Sequence, residues 1–548
     1  MTTDPTATMA MIVPRSTIID TTNTLQLSTV HSVLMDCDRY TAASMLTDSS
    51  RYSCRMLDWS MGSLRIGIYS EGLPAGVYLL LVCFGLLALG YFVYSRVPER
   101  AIKPFRQPTP AISIDDGMDY VPMPRWKNTL IELLNIAGTG PIFGALMGAK
   151  WGPIVFIWIV GGTILGGAVH DYMTGMMSER NGGASATWLT KNYLFGKSRY
   201  PMLILGLFLL VMVSATFARS AGDLLEAITG LPLYIWVAVI LGYFMLSAIL
   251  PINKVIGRIY PIFGVLLISM AVVVIGGLVL GGYAFPEFTL ENLHPTGASY
   301  FPDMFVTVAC GAISGFHATQ SPMVARCIKR EEDGRPVFYG AMIVESVIAA
   351  MWAAAGLAFY AGTTGLADAL ADGGAAGVVY EICTTVAGPL GGALAVIGVL
   401  ICPITSGDTA LRSARMMIQD DRGYEKSNKK NMVLITLVTF VCVAILCTLD
   451  FTILWNYFSW LNQTLACIML WTATAFLFLT SKKIYTLITA LPALFMTMIV
   501  TTFIFHSNLG LGLDDSIAIP LGGIITVIAA LGYIRFLLMK DSDIKAMA

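Results

Sequence analysis

Apolar residues in this chain gather into long runs, and the short polar segments between them hold most of the charge. A membrane-spanning helix needs about 20 mostly apolar residues. Thirteen runs approach that length: 74–95, 128–149, 153–177, 201–218, 233–250, 259–283, 303–325, 338–362, 389–411, 431–450, 454–480, 485–506 and 517–539. The pattern predicts an all-α polytopic membrane protein with about 13 transmembrane helices. Arg535 is the one charge in the last run and lies near its end, where a long side chain can snorkel to the interface.

Composition agrees with the pattern. Of the 548 residues 13% are charged, and the mean hydropathy is +0.71. A soluble chain would carry about 25% charged residues. Membrane lipid is therefore the expected surrounding, and a net charge of −1 gives no reason to expect nucleic acid as a partner. The ten cysteines make no C-x-x-C pair or Cys/His metal spacing, so they read as small apolar core residues and no metal centre or other cofactor is expected. Cys37 and Cys54 lie outside the apolar runs and form a candidate pair.

Basic residues set the orientation, because cytoplasmic loops are enriched in Lys and Arg. The loop 96–127 carries Arg96, Arg100, Lys103, Arg106, Arg125 and Lys127. Every second loop after it is basic again, through Arg180 to Arg199, Lys254 and Arg258, Arg326 to Arg335, Arg412 to Lys430, and Lys482 with Lys483. The alternate loops hold only Lys150 and Arg219, beside acids such as Glu287, Asp368 and Asp514. Residues before the first run are expected outside, and the C-terminus, 540–548, in the cytoplasm. The segment 1–73 has no signal-peptide pattern. It reads either as a disordered outer tail or as an extension ahead of a later start at Met56 or Met61.

Two runs are interrupted. The second contains Gly138, Thr139, Gly140 and Pro141 at its middle, with Asn135 and Ala137 just before them. Glycine adds backbone freedom and proline removes a donor, so the helix should unwind there. The seventh run repeats the design with Ser314, Gly315, Phe316 and His317. The second run starts inside and the seventh outside. Runs two to six (128–283) and seven to eleven (303–480) are then two inverted five-helix units, each opening on a discontinuous helix. That is the 5+5 inverted-repeat core of the LeuT-type fold. The run 74–95 is an extra N-terminal helix, 96–127 a basic cytoplasmic loop, and 485–539 two peripheral helices. Asn135, Gly138, Thr139, Gly140, Ser314, Gly315 and His317 are the expected substrate-binding residues.

Polar groups at membrane depth are costly and usually functional. His170 and Asp171 near the end of the third run, and Glu345 in the eighth, are candidates for ion coupling or gating. A histidine can carry a proton near neutral pH, which adds His317. In the ninth run Asp408 and Arg412 share a helix face, as an ion pair or an inner gate. Thr405 and Ser406 offer oxygens beside the unwound backbone at Ala137 and Gly140, a set that suits Na⁺, whereas Asp408 suits a proton.

Five ordered motifs carry a resemblance. They begin at Asn135 (Asn-Ile-Ala-Gly-Thr-Gly-Pro-Ile), at Gly167 (Gly-Ala-Val-His-Asp-Tyr, with Arg180-Asn-Gly-Gly-Ala-Ser), at Ser314 (Ser-Gly-Phe-His), at Thr405 (Thr-Ser-Gly-Asp-Thr-Ala-Leu-Arg-Ser-Ala-Arg) and at Trp455 (Trp-Asn-Tyr-Phe-Ser-Trp-Leu-Asn-Gln). From about residue 74 onward the chain resembles the carbon starvation protein A (CstA) family, within the amino acid–polyamine–organocation superfamily. The resemblance implies a cytoplasmic-membrane uptake transporter used when carbon is scarce, with pyruvate or short peptides as substrates and H⁺ coupling. The chain departs from the family at His170, where members commonly carry glutamine. No phosphate-binding loop or hydrolase motif is present, so an ATP-driven pump and an enzyme are disfavoured. The expectation is symport of a small carboxylate or short peptide with H⁺ or Na⁺; the alternative is a channel or a transporter-like nutrient sensor.

Overall fold

The computed structural model describes residues 76–105, 107–194, 196–250, 252–423 and 429–539. The outer tail, the Cys37–Cys54 pair and the C-terminal 540–548 lie outside the described residues. The apolar runs are helical throughout their long stretches, because a backbone facing lipid has to satisfy its own amides and carbonyls. In chain order the helices are α1 (Val77–Ile102), α2a (Arg125–Ile136), α2b (Gly140–Trp151), α3 (Val155–Arg180), α4 (Gly196–Thr229), α5 (Leu233–Ile249), α6 (Tyr260–Leu280), α7a (Asp303–Thr307), α7b (His317–Ala325), α8 (Glu331–Phe359), α9 (Gly391–Arg422), α10 (Lys430–Leu446), α11 (Phe451–Thr480), α12 (Lys483–His506) and α13 (Asp515–Leu538).

Among the described residues nine helices are long and apolar enough to cross a membrane, ten when the bent pair α2a–α2b counts as one span, so this is a multi-pass membrane protein. Thirteen spans were expected, and the difference has physical causes. α5 and α10 are apolar but short, and α7 is cut by a non-helical stretch, 308–316. α3, α8, α9 and α11 are buried along most of their length, whereas α1, α6 and α13 turn most of theirs outward.

The two interrupted helices run antiparallel, side by side. At one end the Met123 amide donates to the Cys327 carbonyl (3.0 Å). At the other, Trp151 Nε1 donates to the Ala298 carbonyl (3.0 Å). Between them the breaks touch: a Cβ placed on Gly140 would lie 2.2 Å from the Cys310 Cβ. Only glycine permits that approach, which is why the sequence is small at this point.

The basic end is closed by ion pairs. The chain ahead of α2a turns at Asp116, whose Oδ1 accepts the amides of Met118, Asp119 and Tyr120 (2.9, 3.0 and 2.9 Å). That turn aims Asp119 between Arg412 (3.4 Å) and Arg415 (3.1 Å) of α9. Arg326, after α7b, binds the Gly183 carbonyl and Asp420, each at 2.8 Å. Burial pushes the Asp119 carboxyl up, but Arg415, Arg412 and Arg326 outweigh it and hold the pKa at about 2. The folded value is below the reference of 3.8, so this stabilisation is complete above about pH 4 and is lost as pH falls toward 2. Asp119→Asn should lower stability at pH 7 by about 3 kcal/mol, the usual cost of removing one partner from a buried pair. Thermal melts in detergent should show the gap to wild type closing between pH 4 and 2; a pH-independent gap would assign the loss to something other than this charge.

Candidate functional site

A helix interrupted in mid-membrane frees backbone groups that lipid cannot satisfy. At the second break, side chains from three neighbouring helices take them. Trp158 Nε1 donates to the Val308 carbonyl (3.1 Å). Thr163 and Ser346, themselves hydrogen-bonded, both donate to Gly311 O (3.2 and 3.1 Å). Asn462 of α11 accepts from Ser314 Oγ (3.0 Å) and from the Phe316 amide (2.6 Å), and its carbonyl accepts the Gly315 amide (3.0 Å). The amides at the start of α7b, a candidate anchor for a substrate carboxylate, are thus already bound to protein.

The first break is less complete. Ala137 ends α2a, and Pro141, without an amide hydrogen, starts the next turn. Thr405 and Ser406 of α9 both donate to the Leu134 carbonyl, at 2.8 and 3.1 Å. Asn135 Oδ1 and Nδ2 and Thr139 Oγ1 are fully buried and hydrogen-bond to no protein atom. Gly138 lies against Phe217, whose ring meets Phe316 (6.0 Å) and Phe458 (5.7 Å) edge-on. Asn135 and Thr139 thus leave free polar atoms at the first break, with an aromatic group packed over it.

Beside the breaks lies a buried cluster of titratable groups. Asp171 of α3 pairs through Oδ1 with His170 Nδ1 and through Oδ2 with His317 Nδ1, each at 2.8 Å. His317 Nε2 is 3.5 Å from Glu345 Oε2 on α8. Glu132 of α2a accepts from Ser321 Oγ on α7b (2.7 Å) and is near enough to Asp171 to repel it. All six side chains are essentially unexposed. Two imidazoles and three carboxyl groups so placed interact directly, and a change of charge at one is felt by its neighbours. The cluster joins both broken helices to α3 and α8. Among the described residues no group of His, Cys, Asp and Glu has metal-binding geometry.

Asp408 has a different environment. Its carboxylate accepts from Tyr243 OH (2.9 Å), Ser247 Oγ (2.8 Å) and Tyr260 OH (3.1 Å). Asp408 and Arg412 were a candidate ion pair, but Arg412 instead binds Asp119 and the carbonyls of Ser247 and Leu250. Three hydroxyls already satisfy the acid, so the guanidinium turns to acceptors at the basic end. Of the expected residues, the structure gathers His170, Asp171, His317 and Glu345 in one cluster, and Thr405 and Ser406 at the first break. Asp408 stands apart with α5 and α6.

Sequence reasoning passed over Glu132, Tyr243, Ser247, Tyr260 and Asp119. Glu132 could have been found, since it is an acid inside an apolar run, three residues and so one helix face from Asn135. The tyrosines carry no such signal; hydroxyls at the ends of apolar runs are common.

The family model for carbon starvation protein CstA matches residues 75–230, 220–360 and 353–503. The chain belongs to the CstA family. A Haemophilus influenzae relative described as an uncharacterized membrane protein is 40% identical over 348 residues, 53% of this chain and 93% of that one. The pyruvate/proton symporter BtsT of Escherichia coli is 27% identical over 347 residues, 50% of this chain and 47% of its own. The peptide transporter CstA of Bacillus subtilis is 25% identical over 342 residues, 50% of this chain and 57% of its own. The matches thus span about half the length of those two CstA-type transporters. The crystal structure of MhsT in complex with L-phenylalanine covers 69% of this chain and 99% of that chain at a TM-score of 0.51 and 15% identity. MhsT has the LeuT fold, and the likeness extends that fold to this CstA-family chain.

Within the fold, Asp408→Asn should act through the three hydroxyls. An amide nitrogen cannot accept, so either Tyr243 and Ser247 lose their acceptor or Tyr260 is left with the Thr405 carbonyl alone (3.0 Å). Such a loss costs about 1–3 kcal/mol, and thermal melts of the purified variant should drop accordingly, with Tyr260→Phe costing less. An unchanged melting temperature in Asp408→Asn would show that the hydroxyls re-pair freely.

Proposed function

We propose that this chain is a secondary active uptake transporter of the cytoplasmic (inner) membrane, importing a small carboxylate such as pyruvate, or a short peptide, together with protons. One observation carries the reading: the His170–Asp171–His317–Glu345 chain, with Glu132 beside it, links both broken helices through groups able to exchange protons. In a LeuT-type fold the substrate and the coupling ion lie at such breaks. Asn135 and Thr139 are the substrate contacts we assign first, because their buried polar atoms have no protein partner. The names of two relatives, a pyruvate/proton symporter and a peptide transporter, support the substrate classes and the proton.

From the basic loops we infer that the end closed by Asp119 faces the cytoplasm, with the C-terminus on the same side and the residues before α1 outside. The proton is preferred to Na⁺ as coupling ion. Thr405 and Ser406 are already hydrogen-bonded to backbone carbonyls, while the titratable cluster bridges α2a, α3, α7b and α8. Proton binding on one side and release on the other would change the charge between α2, α3, α7 and α8, and so bias their packing.

Proteoliposomes loaded with buffer test this with radiolabelled pyruvate, lactate and dialanine under imposed pH or Na⁺ gradients. Accumulation is expected with an inward proton gradient alone. Asp171→Asn and His317→Gln should cut gradient-driven accumulation by roughly tenfold or more, the size of an ordinary coupling free energy, while exchange counterflow persists. Wild-type uptake indifferent to the pH gradient would sink the proposal.

A further inference from the structure

At the end of the bundle opposite the basic loops a cavity of about 330 Å³ reaches toward the breaks. Its floor includes Thr307, the last residue of α7a, and Trp455 of α11. Both abut Gly144 of α2b: a Cβ there would lie 3.1 Å from the Thr307 carbonyl oxygen and 3.3 Å from the Trp455 ring. The cavity therefore ends about one helical turn from Gly140 and the first break.

Lys150, Trp455 and Ser459 are among the lining residues. Lys150 makes no ion pair among the described residues; its ammonium lies over the Trp151 ring, 5.9 Å from the centroid. Trp455 Nε1 and Ser459 Oγ are buried, with the residues 4% and 2% exposed, and neither has a hydrogen-bond partner. By contrast, the Trp151 indole N–H already binds backbone carbonyls. His294 accepts the Thr296 amide at Nδ1 (3.3 Å), which puts its own proton on Nε2. Burial and the Lys150 charge hold that imidazole below its ordinary pKa, so near neutral pH it is a neutral donor. Asp303 is the one carboxylate in the lining, and it is already paired with His506 (3.4 Å). What remains is Lys150, which makes no ion pair among the described residues, beside Asp303, whose partner His506 is shared with Asp515 (2.7 Å), and two buried unpartnered donors.

We infer that this cavity is a capture site for the carboxylate of the incoming substrate, with Lys150 as the counter-charge and Trp455 Nε1–H and Ser459 Oγ–H as the hydrogen-bond donors. Charge-assisted hydrogen bonds of this kind are the stronger ones, and a carboxylate accepts several at once. The site would raise the local concentration of substrate above the breaks before the bundle rearranges. The inference rests on the reading of the chain as an importer of small carboxylates, and the test separates the two.

In proteoliposomes Lys150→Met should raise the KM for pyruvate about tenfold, the effect of losing one charge-assisted bond, and leave kcat within about twofold. Lys150→Arg, which keeps the charge, should recover most of the affinity that Lys150→Met loses. A binding readout independent of coupling uses Asn456→Cys at the rim of the same cavity. Its labelling by a membrane-impermeant maleimide should be slowed by pyruvate, lactate or dialanine and not by neutral pyruvamide, and adding Lys150→Met should abolish the protection. Protection without proton-driven accumulation would sink the transport reading and keep this one. No protection by any of the three acids, equal protection by chloride, or an unchanged KM in Lys150→Met would overturn the capture site.

Discussion

Breaking a helix in mid-membrane leaves amides and carbonyls that only protein or a ligand can satisfy, and the arrangement of this bundle follows from how the two breaks meet that demand. The second is completed by Trp158, Thr163, Ser346 and Asn462, so α3, α8 and α11 are tied to the non-helical stretch 308–316 by side-chain hydrogen bonds. The first is tied to α9 through Thr405 and Ser406 alone, and leaves Asn135 and Thr139 unpartnered. Two breaks that read alike in sequence are unequal in structure. The one with unmet polar groups is where a polar ligand gains most, because its hydrogen bonds replace none already made.

Buried acids pose the second demand, and the bundle meets it in three ways. Asp119 is held by guanidinium groups, Asp408 by hydroxyls, and Asp171 by imidazoles. Guanidinium groups stay charged and hydroxyls stay neutral across the ordinary pH range, so the first two solutions are fixed. Imidazole changes charge within that range. Of the three acids, only Asp171 has partners that can change charge, while Asp119 is held at the basic end and Asp408 where α9 meets α5 and α6.

The two ends of the bundle differ correspondingly. At the basic end the chain ahead of α2a is pinned onto α9 by Asp119. At the opposite end a cavity descends to Thr307 and Trp455. Between that floor and the titratable cluster stand Phe217, Phe316 and Phe458, contributed by α4, α7b's leading edge and α11.

The sequence by itself determined the membrane class, the helical content, the alternation of basic loops and the places where two helices break. Each is local: hydropathy over about 20 residues, charge between runs, and Gly and Pro at Gly138–Pro141 need no knowledge of neighbours. It also marked His170, Asp171, His317 and Glu345 as acids and imidazoles at depth, though as separate candidates. Only the tertiary structure decided their partners. Asp171 and His317 are 146 residues apart and meet because α3 and α7b cross; Arg412 prefers Asp119, 293 residues away, to Asp408 four residues away. The described residues show nine or ten of the thirteen expected spans as long helices, since α5 and α10 are short and α7 is cut in two. Side-chain pairing at such separations is set by helix crossing, which hydropathy cannot encode, and that is why the break was legible at Gly138 while the choice of which break stays open to a ligand was not.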